Sequence, residues 1–347
     1  MSAGTPMSAG PPMSGRIVCF GEILLRLAAP PGRMLLQTPA LDACTGGAEA
    51  NVAVSLALLG HRAAMVSVLP DNPLGHAVLG SLRTHGVDTS AIRMCPGRMG
   101  LYFIAPGAVV RPSEIIYDRA GSAYALADPG LYDWPALLDG AAWLHVSGIS
   151  PAVGDNPARA VLAAMAAART RGVRVAFDGN YRASLWAERG QDGAGLLLET
   201  MCQADVLFAG PRDLALVLDR PDLADPARAE HAARAAFAAF PHLDLLAWTS
   251  RVQYSVDEHE LSAVLYTRTG SVTGGSYRLS GIVDRIGTGD AFAAGVLHGL
   301  QSGMTTADVA GFALAAAAMK HAISGDFNLA RADQIEAARA GAYDVRR

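Results

Sequence analysis

Apolar and polar positions alternate along the chain in a rhythm of short apolar runs and amphipathic stretches. The run Arg16–Phe20 predicts a strand, and it ends at Gly21-Glu22. Residues 48–59 are apolar at helical spacing and stop at Gly60. Residues 64–68 predict a strand, and 73–85 a helix closed by Gly86. The same alternation returns further on, with strands over 142–146, 173–178, 204–208 and 243–249. Helices are predicted over 156–170 and 227–240. Residues 261–267 and 276–279 predict antiparallel strands near a sheet edge. Helices over 290–301 and 307–324 close the chain. Strands alternating with helices imply a mostly parallel central sheet with helices on both faces.

Two segments break this rhythm. Residues 22–44 and 100–120 alternate with period two and carry no long helix. LYFIAP and SEIIYDR predict a hairpin turning near Gly107. Together the segments predict a small β-sheet lid over one end of a single domain spanning 16–347. The opening residues 1–15, rich in Gly, Pro and Ser with MSAG twice, predict a disordered tail.

Composition narrows the function classes. Of 347 residues, 51% are hydrophobic and 17% charged, so the chain supports a large core. A net charge of −4 gives no general attraction to nucleic acid or anionic membrane. The four cysteines, Cys19, Cys44, Cys95 and Cys202, show no CxxC spacing, which argues against zinc and fits a reducing cytoplasm. The opening has no apolar signal-peptide core, and no apolar run reaches membrane-spanning length.

The candidate chemistry lies in the stretch 282–295. An apolar piece runs into Gly287-Thr288-Gly289-Asp290, and a helix follows at once. Glycines let the backbone turn with bare N–H groups facing a ligand, and a helix N-terminus adds unpaired donors and a positive dipole end. This suits a transferring phosphoryl group, with Asp290 placed to take a proton from an attacking hydroxyl. A plain turn with Asp as helix cap is the competing reading of those four residues alone.

The longer string decides between them. DRIGTGDAFAAG, residues 284–295, resembles the C-terminal signature of the ribokinase-like (PfkB) carbohydrate kinases. Gly46-Gly47-Ala48-Glu49-Ala50-Asn51 resembles their N-terminal substrate motif, and the order is kept over about 16–340. Within that family, the loop Asp178-Gly179-Asn180-Tyr181-Arg182 with Leu185-Trp186 resembles the 2-keto-3-deoxygluconate kinases. So do Tyr117-Asp118-Arg119 with Gly121-Ser122-Ala123, and residues 320–328, KHAISGDFN. The resemblance implies an ATP- and Mg²⁺-dependent sugar-acid kinase, with room for a monovalent cation. It implies a cytoplasmic homodimer or higher homo-oligomer with no nucleic-acid or membrane partner.

The roles implied are as follows. Gly287, Thr288, Gly289 and Asp290 form the catalytic loop. Gly46, Gly47 and Asn51 hold the distal hydroxyls. Tyr102 and Tyr117 meet the keto group and the carbon chain, and Arg119 and Arg182 clamp the carboxylate, which Arg recognises with a planar fork. Asn180, Thr249, Arg251 and Lys320, with Gly287 and Gly289, face the nucleotide. Two stretches depart from the family. Its Asn-x-x-Glu motif reads Gly210-Pro211-Arg212-Asp213 here, leaving Asp213 to organise metal-bound water. Its Lys-x-Gly reads Thr249-Ser250-Arg251. A neutral sugar such as fructose or ribose, a 5-keto-deoxy sugar acid, or an inactive sugar sensor are the other readings. The acidic stretch 257–260 reads as a solvated hairpin rather than a metal cluster.

Overall fold

The computed structural model describes residues 13–190, 193–342 and 344. Its strands are β1 (Arg16–Phe20), β2 (Leu24–Ala28), β3 (Asp42–Gly46), β4 (Ala63–Pro70), β5 (Ile92–Cys95), β6 (Gly100–Ala105) and β7 (Glu114–Asp118). Then follow β8 (Ala141–Ser147), β9 (Arg174–Asp178), β10 (Val206–Phe208), β11 (Leu245–Gln253), β12 (Glu258–Thr267) and β13 (Gly270–Ser280). Nine of them form one sheet in the order β13-β12-β11-β10-β9-β8-β1-β4-β5. It is parallel from β11 to β5, and the antiparallel β12 and β13 close one edge.

Both faces of this sheet are covered, as a parallel sheet requires. Alternate side chains of β1 serve opposite sides. Val18 and Phe20 join the core that includes Trp134, Phe177 and Phe240. Ile17 and Cys19 join the core that includes Trp143, Phe208 and the helix Thr288–Gln301. The central strands therefore read as continuous apolar runs, which explains the clear signal at 16–20 and 64–68.

The lid is a separate four-stranded sheet in the order β3-β2-β6-β7. The antiparallel pair β6–β7 is the expected hairpin, but its loop is longer than a tight turn and runs over 106–113. Strand β2 pairs parallel with β6, so Arg26 lies opposite Tyr102. A small apolar cluster of Leu24, Ala28, Tyr102 and Ile104 faces Ile286 of the large domain.

Three expectations need correction. Residues 13–15 are anchored rather than part of a loose tail: Met13 N–H donates to the Gln301 carbonyl at 3.0 Å, and Gln301 donates to the Gly15 carbonyl. The rest of the expected tail, 1–12, lies outside the described residues. The helix begun at Thr306 ends at Lys320 instead of 324, because the chain turns there toward Asp326. Strand β5 had no clear alternation and was not foreseen; it is the short edge beside β4.

Candidate active site

The carboxyl ends of β1, β8 and β9 meet the helix N-termini under the lid, where an open α/β sheet places ligands. A cavity of about 630 Å³ opens there. Its walls gather residues from distant parts of the chain: Gly47 and Asn51, Tyr102, Tyr117 and Arg119 of the lid, Asn180 and Arg182, and Gly287, Thr288, Gly289 and Asp290. Three further members, Asp178, Arg285 and Asp326, were not singled out from the sequence.

Gly287 is the N-cap of the helix Thr288–Gln301 with φ of +81°, a conformation that glycine adopts without strain. A Cβ there would lie 2.1 Å from the Asp326 carbonyl oxygen. Gly289 faces open space, leaving bare backbone toward the cavity. The result is an anion cradle of helix-terminal N–H groups.

Asp290 is held by Asn51, whose Nδ2 donates to Oδ2 at 2.7 Å. Burial raises its carboxyl to about 6, against the pull of the Asn51 bond and of Arg182. A base that titrates near neutrality suits proton removal from a hydroxyl. The Asn51 Oδ1 has no partner among the described residues, which leaves an acceptor in the cavity beside Asp290. The sequence assigned Asn51 to distal hydroxyls; the structure makes it first the residue that orients Asp290.

Asp178 ends β9, and burial together with the nearby Asp290 raises it to about 8. Glu49, under the cavity floor, rises to about 7 by burial while accepting a bond from Ser147 at 2.6 Å. Asp213 is also raised by burial, and its Oδ2 caps its own helix by accepting from Gly210 N–H at 2.8 Å. It does not line the cavity, though its charge is among those that raise Asp178. A divalent cation would relieve this crowding of carboxylates. Among the described residues no group of three or more His, Cys, Asp or Glu could hold a metal by itself. If Mg²⁺ enters with nucleotide phosphates, Asp178 and Asp213 are the carboxylates that would face it through water.

Several of the assigned residues have partners within the protein. Arg119 is buried, and its Nε and Nη2 both lie 2.7 Å from Glu22 Oε2. Ser122 donates to the same carboxylate at 2.6 Å. The charge of Arg119 is compensated within the protein, while its side chain lines the cavity. The Tyr102 hydroxyl is taken by Asp326, leaving its ring to the ligand. Lys320 is fully buried and lines neither this cavity nor its neighbour, and its Nζ donates to the Ile323 carbonyl at 2.8 Å. Burial lowers its pKa from the ordinary lysine value. Thr249 lines neither this cavity nor its neighbour.

The neighbouring cavity, of about 810 Å³, is lined by Arg251, Asp257 and residues 282–286. Arg285 lines both cavities. Its Nη1 meets His259 Nε2 at 3.3 Å, and no acidic partner is within ion-pair distance among the described residues. A cation from the phosphate loop itself thus stands between the two spaces. Gly46 is not on the cavity wall; a Cβ there would lie 2.2 Å from Asp326 Oδ2, so its role is close packing beneath the lid.

Comparisons agree with this geometry. The family model of the pfkB family carbohydrate kinases matches residues 14–242. The chain is 33% identical over 328 residues to the 2-dehydro-3-deoxygalactonokinase of Haloferax volcanii, covering 93% of this chain and 96% of that one. The 2-dehydro-3-deoxygluconokinase structure from Thermotoga maritima superposes with a TM-score of 0.89 at 37% identity, over 94% of this chain and 100% of that one. A fructokinase with bound ATP from Xylella fastidiosa shares the fold, with a TM-score of 0.77 at 24% identity over 96% of this chain and 100% of that one.

Proposed function

Because the chain belongs to the PfkB family of carbohydrate kinases, we propose that its substrate is 2-keto-3-deoxy-D-gluconate, phosphorylated by ATP at the terminal hydroxyl. The observation that carries this reading is the cavity in which Asp290, the Gly287 cradle and two arginines, Arg182 and Arg285, converge, neither arginine having an ion-pair partner among the described residues. The hydroxyl oxygen bonds to the γ-phosphorus as the bond to ADP breaks, and Asp290 takes the hydroxyl proton. Asn51 keeps the carboxylate aimed and accepts from a neighbouring sugar hydroxyl. The helix-terminal N–H groups receive the charge that develops on the phosphoryl oxygens. Bound Mg²⁺ supplies charge neutralisation on the phosphates. Arg182 meets the substrate carboxylate.

The pairing of Arg119 with Glu22 favours a second reading, a neutral sugar, since one of the two expected clamp residues is already satisfied. ADP release from Mg-ATP separates them, measured over a panel of 2-keto-3-deoxygluconate, its galacto epimer, fructose and ribose. Selective turnover of the keto-deoxy acids is expected. In Arg182→Leu, loss of one charge-assisted bond weakens sugar-acid binding about tenfold and ATP binding little. Turnover of a neutral sugar alone, or equal losses for both ligands, would remove the acid from this reading.

The lid also exposes apolar side chains, with Leu36 at 87% and Val110 at 89% exposed. This supports a homodimer joined through the lids. Sedimentation equilibrium is expected to give a dimer that Val110→Asp weakens. A wild-type monomer at micromolar concentration would exclude it. Among the described residues no helix is long and apolar enough to cross a membrane.

A further inference from the structure

A buried polar cluster outside the reacting groups joins the lid to the phosphate loop. Arg26, on β2 of the lid, donates from Nη1 to Asp284 Oδ2 at 2.6 Å and to Asp326 Oδ1 at 3.3 Å. Its side chain is 6% exposed, and those of Asp284 and Asp326 are 7% and 3% exposed. Tyr102, beside it on β6, donates to the Asp326 carboxylate, with both oxygens at 2.8 Å. Both lid strands are therefore tied to Asp326, and β2 to Asp284 as well.

Those carboxylates are tied in turn to the loop that receives the phosphate. Asp284 Oδ1 accepts from Ile286 N–H at 3.0 Å, one residue before Gly287. Its Oδ2 accepts from Gly325 N–H at 3.1 Å. The main-chain oxygen of Asp326 packs so closely on Gly287 that no side chain fits between them. Lys320, behind Gly287, balances the carboxylates from the other side. Cys44 of β3 adds a weak contact, Sγ to Asp326 Oδ1 at 3.9 Å, and Ile286 itself packs against the lid's apolar cluster.

A buried ion pair adds little net stability, because desolvation offsets the attraction, yet it strongly favours one arrangement of its partners. We propose that the Arg26–Asp284–Asp326–Tyr102 cluster is a latch through which the lid sets the geometry of the phosphate loop. Arg26 is then a positioning residue: it lies off the wall of the cavity that holds Asp290, and a lid seated over sugar holds residues 284–287 in the form that accepts the phosphoryl group. This inference rests on the kinase reading above for its consequence, but its physical content does not depend on which sugar binds.

Hydrogen exchange on the full-length ligand-free protein tests it. In Arg26→Met, the amides of Ile286 and Gly325 are expected to exchange about tenfold faster or more, with β8 and β9 unchanged. Unchanged rates at 286 and 325 would overturn the latch, as would uniform loosening of the whole protein. If Arg26→Met does not fold, Tyr102→Phe removes one hydroxyl and allows the same comparison, with a smaller effect in the same two amides. A second readout is the coupling between ligands. A non-hydrolysable ATP analogue is expected to tighten sugar binding roughly tenfold in the wild type, and Arg26→Met to bring that factor close to one while Arg26→Lys restores part of it. Coupling retained in Arg26→Met would also overturn the latch. A wild type that binds no sugar acid would instead fault the substrate assignment, and the exchange comparison would still decide the latch.

Discussion

Replacing Asp290 by Asn removes turnover, with kcat falling by about a thousandfold, the scale of general-base catalysis. The side chain keeps its shape, and Asn51 can reorient its amide to preserve the contact seen at 2.7 Å. Sugar affinity should therefore change only a few-fold. Isothermal titration for binding and single-turnover kinetics for chemistry separate the two. A variant with near-wild-type kcat would take the base assignment from Asp290. The pH profile gives an independent check. A base works deprotonated, so kcat/KM should rise with pH up to about 6, where Asp290 titrates, and level off above it. Asp178 and Glu49, raised to about 8 and about 7, can add shallower steps. The limb near 6 should vanish in the residual activity of the Asn variant.

The second large effect is expected at Gly287. Alanine there meets two obstacles at once: φ of +81°, and a backbone oxygen 2.1 Å from the new Cβ. A backbone atom cannot swing aside as a side chain can, so the loop must move. Misplacing an oxyanion-type donor costs about a hundredfold or more in kcat. Thermal stability should drop as well, by an amount comparable to the roughly 1–3 kcal/mol of backbone strain. Gly289→Ala provides the contrast, because its Cβ meets nothing within 4 Å. It should leave the melting temperature unchanged and raise KM for ATP, since the open space is where the phosphates approach. Equal behaviour of the two variants would show that the cradle is not built as described.

The sequence carried the central sheet well, because strands buried on both faces leave uninterrupted apolar runs such as 63–70. It carried the lid through period-two alternation at 100–105, and the turn at 287–289 into the following helix through glycines whose spacing has a steric cause. Pairing between charged side chains was much less legible. Arg119 looked free because its partner Glu22 lies 97 positions away on the chain. Lys320 looked like a ligand contact because helical periodicity does not reveal that its ammonium bends back to Ile323. Asp326 and Asp284 were part of quoted motifs, yet nothing local announces that Arg26 lies between them. One clue was available: a charged residue in the apolar strand β2 needs a buried partner. Arg285 was readable only as one letter of a signature, and its exposure to two cavities is a property of the folded loop.

The distances along the chain between partners in the site have a consequence for synthesis. Asn51 and Asp290 are 239 residues apart, and Arg26 and Asp326 are 300 apart. Strand β1 sits between β4 and β8, so the centre of the sheet can assemble from the amino-terminal part of the chain. The lid strands are complete by residue 118. A nascent chain can thus build a pocket and a lid on the ribosome well before the base and the phosphate cradle emerge. Until translation passes Asp284, Arg26 has neither of its carboxylates in place, and it stays buried against a single one until Asp326 follows.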